Sequence, residues 1–193
     1  MRRYSCLLLL LLFLGSPAWA APIVTMFFRG AIGPTPGFFL MEVDGVLNPL
    51  LCDQFLPNVT TEPYQAIVAT LDDLTGTTLE RQGDPNALQK YQLVALINLR
   101  AYQDASLASD AVRASRFVVD GFGPMPNSSL DLLAWAQAQN PADYPELAGF
   151  KIYANPITQE LTGYDVPEPA TVILIAGGLL SFAVVRRRRV PSR

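Results

Sequence analysis

Histidine does not occur in this chain of 193 residues. Its absence excludes Ser-His-Asp and Cys-His catalysis, histidine-ligated zinc or iron, and histidine general acid–base chemistry. The calcium-loop pattern D-x-[DN]-x-[DN]-G is missing too, since the surroundings of Asp44 and Asp53 do not fit it. No metal and no cofactor is expected. Cysteine is almost absent, with only Cys6 and Cys52. Positive charge is scarce in the middle of the chain. The formal charge of −3 conceals this, because half of the basic residues sit at the two ends. Between Ala21 and Val166 seven basic residues stand against sixteen acidic ones, a balance of −9. A domain of that charge is expected to bind neither nucleic acid nor an anionic membrane surface. The acidity reads as a solvated surface rather than a dedicated cation site. Internal repeats and low-complexity segments are also lacking.

Long apolar runs are present, and both lie at the ends. Arg2 and Arg3 precede an unbroken run from Leu7 to Leu14, and Gly15-Ser16-Pro17 breaks any helix there. Ala18-Trp19-Ala20 then fits a small-x-small cleavage site, with the cut before Ala21. This is the layout of a signal peptide over residues 1–20, removed by signal peptidase; an uncleaved anchor is the alternative. Cys6 precedes the apolar run, the wrong side for a lipoprotein cysteine. The mature chain therefore keeps Cys52 alone, can form no internal disulfide, and must rely on its core.

At the other end Pro167-Glu168-Pro169 stops any continuing helix. Ala170 to Val185 follows, interrupted only by Thr171 and Ser181, and then Arg186, Arg187, Arg188 and Arg189. At ~1.5 Å per residue the apolar run reaches roughly 24 Å, short of a ~30 Å hydrocarbon core, so bilayer thinning or snorkelling arginines must close the gap. Four arginines directly after the run read as a cytoplasmic anchor. The alternative is a buried core helix with a basic tail. Both ends give one topology, with residues 21–165 outside the membrane and 166–193 as its C-terminal signal.

A Pro-Glu-Pro tripeptide, a short apolar helix and an arginine cluster, in that order at the C-terminus, resemble the PEP-CTERM sorting signal of Gram-negative bacteria. The resemblance covers about 27 residues, from Pro167 to the end. It implies recognition by an exosortase, transient anchoring at the inner membrane through 170–185, and delivery to the cell surface or to an exopolysaccharide and biofilm matrix. It implies no activity for the domain.

Within the domain, Ile23–Phe28 and Phe38–Val43 have the β-branched and aromatic content of strands. Gly30 to Gly37 reads as a loop between them. Asp44-Gly45 marks a hairpin turn, and Val46–Cys52 a third strand despite Pro49. Helices are expected over 61–74, over 85–103 with Asp84 as cap, over 107–119, and over 130–139 capped by Ser128 or Ser129. Phe150–Ala154 looks like a returning strand, and 164–166 like a short linker. The expected fold class is α+β, with N-terminal strands followed by helices.

Three sets of residues are candidates for chemistry. Cys52, in Leu51-Cys52-Asp53, is placed as in exported domains that carry a cysteine–aspartate motif ahead of a Gln-x-Ala-Ile-Trp helix. In related adhesins such a cysteine forms an internal thioester with the glutamine. Here Arg113 stands where that glutamine would be, leaving Gln89, Gln92 and Gln103 as substitutes; the other reading is a buried inert thiol. Asp72-Asp73, and Glu42 with Asp44, could serve as paired carboxylates in glycoside hydrolysis. Tyr64, Tyr91, Tyr102, Trp135, Tyr144, Phe150 and Tyr153 could stack on sugars, but their spacing favours a core. The resulting expectation is a non-catalytic surface or matrix protein. A carbohydrate-active enzyme and a thioester adhesin are the alternatives.

Overall fold

The computed structural model describes residues 21–32, 36–54 and 60–164. Ala18 and Ala20 of the cleavage site, Pro167-Glu168-Pro169, the run 170–185 and Arg186–Arg189 lie outside them; Ala21 is the first described residue. Among the described residues no helix is long and apolar enough to cross a membrane.

Six strands form the framework: β1 (Ile23–Ile32), β2 (Phe38–Val43), β3 (Val46–Cys52), β4 (Tyr64–Ala69), β5 (Phe150–Ala154) and β6 (Leu161–Tyr164). They close into a barrel in the order β1-β2-β3-β6-β5-β4, every neighbouring pair antiparallel. Closure pairs every strand on both sides, although β3 meets β6 only at Leu51 and Cys52. The β2–β3 turn is a two-residue loop with positive φ at both Asp44 (46°) and Gly45 (86°). Aspartate and glycine adopt that conformation at the lowest cost.

Alternation along the strands sorts their side chains. Met26, Met41, Val43, Leu50, Cys52, Ala66, Tyr153 and Leu161 fill the barrel. Leu51, Ala69, Phe150 and Ile152 point outward into a second, larger core. That core is completed by α1 (Thr78–Arg81), α2 (Ala87–Gln103), α3 (Ala108–Asp120) and α4 (Asn127–Gln137), inserted between β4 and β5. α2 supplies Tyr91, Val94, Ala95 and Leu96, α3 supplies Ala111, Val112 and Val119, and α4 supplies Leu132 and Leu133. Gly121 ends α3 at φ 76°, the left-handed cap that glycine favours.

The α+β class holds, with four corrections to its elements. The segment expected as a helix over 61–74 contains strand β4. Tyr64, Ala66 and Val68 alternate into the barrel, and β4 pairs with β1 on one side and β5 on the other. Two ladders outweigh a helix pattern that Pro63 and the β-branched Ile67-Val68 already weaken. Residue 164 is no linker: β6 ends there, and Tyr164 Oη donates to Ala95 O at 2.7 Å. Ser128 and Ser129 do not cap α4. Both hydroxyls donate to Asp110 Oδ1 at 2.8 Å, tying α4 to α3. Strand β1 also runs past Phe28, through an irregularity at Phe28/Gly30, into the expected loop. Pro49 is tolerated because β6 pairs with β3 only at Leu51 and Cys52, so its missing N–H faces no partner strand.

Candidate functional site

Where β3 leaves the barrel, the sequence Cys52-Asp53-Gln54 carries three side chains into the seam between barrel and helices. The pairing Cys52↔Leu161 sets these residues beside Gln159 and Glu160, immediately ahead of β6. α1 brings Thr78, α2 brings Tyr91 and α3 brings Arg116. Cys52, Asp53 and Glu160 are each 0% exposed, and Gln54 and Thr78 are each 6% exposed. The cluster is sealed from solvent.

Glu160 is its hub. Tyr91 Oη donates to Oε1 at 2.6 Å, and Thr78 N donates to Oε2 at 2.8 Å. Neither oxygen of Asp53 receives a hydrogen bond from a donor in the protein. Its neighbour is the Glu160 carboxyl, and two buried carboxylates in contact cannot both be ionised. Burial first, then the charge of Glu160, holds Asp53 well above the usual carboxylate range, so Asp53 keeps its proton. Burial raises Glu160 as well, but the donors from Tyr91 and Thr78 oppose that rise. Glu160 is therefore the member of the pair that carries the charge. Burial, aided by the same carboxylates, drives the Tyr91 phenol far above its usual range, so it stays a donor.

Cys52 is a thiol. Its Sγ donates to Gln54 O at 3.2 Å, while Arg116 Nη2 and Nε approach it at 2.7 and 3.2 Å. Burial pushes the thiol up to about 12, against the Arg116 guanidinium, which lowers it. At neutral pH such a sulfur is neither thiolate nor accessible.

The sequence-derived candidates can now be placed. Arg116, one helical turn beyond Arg113, faces the sulfur; Arg113 lies 3.8 Å from Asp110. Among the described residues no glutamine side chain hydrogen-bonds to Cys52, and Gln89 and Gln103 are exposed. Gln92 lines a surface hollow of about 390 Å³ with Thr70, Asp72 and Tyr144. Asp73 is exposed and holds a turn through Thr75 N at 3.0 Å. Glu42 pairs with Arg29 at 2.5 Å, and Asp44 accepts from Thr25 N at 2.7 Å. Asp73, Glu42 and Asp44 are each engaged by a different partner. The pair that does meet, Asp53 and Glu160, was half visible: the cysteine–aspartate motif flagged Asp53, while Glu160 carried no signal beyond a lone charge ahead of Leu161. Tyr91, Phe150 and Tyr153 are buried in the two cores, as their spacing predicted. At the opposite end of the barrel a hollow of about 370 Å³ is lined by Val24, Val43 and Val68 with Asp44, Asn48 and Lys151.

Geometry thus gives a sealed polar cluster and two open hollows, and the C-terminal end supplies what they do not. The PEP-CTERM protein-sorting motif matches residues 165–189. This chain is a PEP-CTERM sorting-domain protein. The motif begins directly after the last residue of β6, so the folded domain abuts its sorting signal. It implies an exported protein, held at the membrane and then processed by an exosortase. No curated protein and no solved structure matches the chain.

Proposed function

We propose that this PEP-CTERM protein is a structural or adhesive component of the cell surface or extracellular matrix, without catalytic activity. Signal peptidase releases its N-terminus before Ala21, 170–185 holds it transiently at the inner membrane, and an exosortase cuts near Pro167-Glu168-Pro169. The acidic barrel-and-helix domain then joins an exopolysaccharide or biofilm matrix. The observation that carries this reading is the sorting motif at 165–189, placed directly behind a self-contained domain. The burial of Cys52, Asp53 and Glu160 supports the non-catalytic part, because substrate has no path to the reactive groups.

The test is the intact mass and terminal peptides of the native protein from membranes, cell surface and medium, with and without the host's exosortase. A surface or medium species that starts at Ala21, ends near Pro169 and disappears without the exosortase is expected. A single membrane-bound species retaining Arg193 in both hosts would overturn the reading.

A further inference from the structure

Gln54 and Thr78 meet inside the sealed cluster, a carboxamide beside a hydroxyl. Gln54 Nε2 donates to Thr78 Oγ1 at 3.0 Å, and the Glu160 backbone N–H donates to Gln54 Oε1 at 3.0 Å. Those two contacts fix which end of the carboxamide is oxygen. The N–H on Oε1 also sits where it would stabilise charge developing on that oxygen. Arg81 Nη2 donates to Thr78 Oγ1 at 3.3 Å. The Glu160 carboxylate, which accepts Thr78 N–H at 2.8 Å, lies beside the hydroxyl as a base. Donors from Cys52 and Gln159 on Gln54 O hold the backbone in place.

We propose that Thr78 Oγ1 and Gln54 Cδ become joined in an intramolecular ester bond, formed by the folded chain itself. The Gln54 carboxamide turns to release the Nε2–H contact, and the freed lone pair of the hydroxyl oxygen attacks Cδ while Glu160 takes the hydroxyl proton. The negative charge on Oε1 is held by the Glu160 N–H. Glu160 returns the proton to Nε2, the Cδ–Nε2 bond breaks, and ammonia leaves. One hydroxyl and one carboxamide give one ester and one ammonia, with no oxidant, metal or cofactor. Burial keeps out the water that would hydrolyse the product. The bond spans 24 residues and ties the end of β3 to α1 across the whole of β4. It supplies the covalent brace that a domain with one cysteine cannot obtain from a disulfide. The proposal rests on distances within the domain and is independent of the sorting motif.

The experiment is the intact mass of the purified full chain, unfolded in acid, with thiol titration and peptide mapping. The expected result is one ammonia fewer than the sequence of the processed chain requires. A linked peptide pair containing Gln54 and Thr78 is expected with it, and Cys52 fully alkylated. Thr78→Ser should keep the loss and Thr78→Val abolish it. Linear Gln54 and Thr78 peptides from wild-type protein that melts cooperatively would overturn the proposal without recourse to any variant. So would an ammonia loss mapped to Cys52 or to any other site.

Discussion

Replacing Tyr91 with phenylalanine should destabilise the domain more than removal of a single neutral hydrogen bond does. Tyr91 is fully buried on α2, and its hydroxyl donates to Glu160 Oε1 at 2.6 Å while accepting from Leu79 N at 3.3 Å. A hydrogen bond to a buried carboxylate contributes about 1.5–3 kcal/mol, and the orphaned Leu79 N–H adds about 1 kcal/mol, so the expected loss is about 3 kcal/mol. In a domain of this length 1 kcal/mol moves Tm by roughly 3–4 °C, which puts the fall near 10 °C. Tyr164→Phe is the control. It removes one neutral bond, to Ala95 O at 2.7 Å, and should lower Tm by about 3 °C. Melts of both variants are followed by circular dichroism at pH 7, with far-UV spectra to confirm the fold. The comparison depends on the charge of Glu160, because with a neutral Glu160 the Tyr91→Phe loss would shrink to one neutral bond plus the orphaned Leu79 N–H, about 2 kcal/mol. A Tyr91→Phe loss of about 2 kcal/mol or less would refute the assignment of the charge to Glu160.

Asp53 and Glu160, both raised above the ordinary carboxylate value, give the folded state more bound protons than the unfolded chain above pH ~4. Stability should therefore fall as pH rises from there toward their folded pKa values, by up to about 1.4 kcal/mol per pH unit for each proton. Asp53→Asn should flatten that slope and raise Tm at pH 7, checked by melts from pH 4.5 to 8. Asp73, Asp84 and Asp104, held low by hydrogen bonds, act with the opposite sign; their contribution is lost as pH falls through their depressed values, a separate and more acid window. Cys52, with its thiol pushed up to about 12 and no exposed surface, should react with iodoacetamide at pH 8 roughly 100-fold more slowly in the native protein than in urea, read by mass spectrometry. Gly163→Ala should cost about 1–3 kcal/mol in urea unfolding. Its Cβ would meet Leu50 Cδ2 and Tyr102 Oη at 2.6 Å, where barrel and α2 are packed against each other.

Local chemistry was legible in the sequence where a single segment decides its own conformation. Phe38–Val43, the Asp44-Gly45 turn, Val46–Cys52 and Phe150–Ala154 were readable because alternation and turn residues act within a few positions. β4 was not, since its conformation depends on β1 and β5, about 40 and 85 residues away in the chain. β6 was missed because four residues carry too little pattern to stand out beside a sorting signal. The same distance hid the site. Asp53 drew attention through its cysteine, but Glu160 joins it only after β6 pairs with β3, and Tyr91 only after α2 docks on the barrel. Arg116 rather than Arg113 meets Cys52 because α3 turns that residue toward the end of β3. A domain without a disulfide would be expected to fill its interior with apolar groups alone. This one places a charged hydrogen-bonded cluster at the junction of its two cores, where β3, β6, α1, α2 and α3 all contribute. β6, α1 and α2 must all be docked before Glu160 has its donors. Misdocking of any of them leaves a buried charge unpaired, at a cost of several kcal/mol. The cluster thus penalises wrong arrangements of barrel and helices more than it stabilises the right one, a role suited to a domain that must keep one form once it has left the cell's quality control.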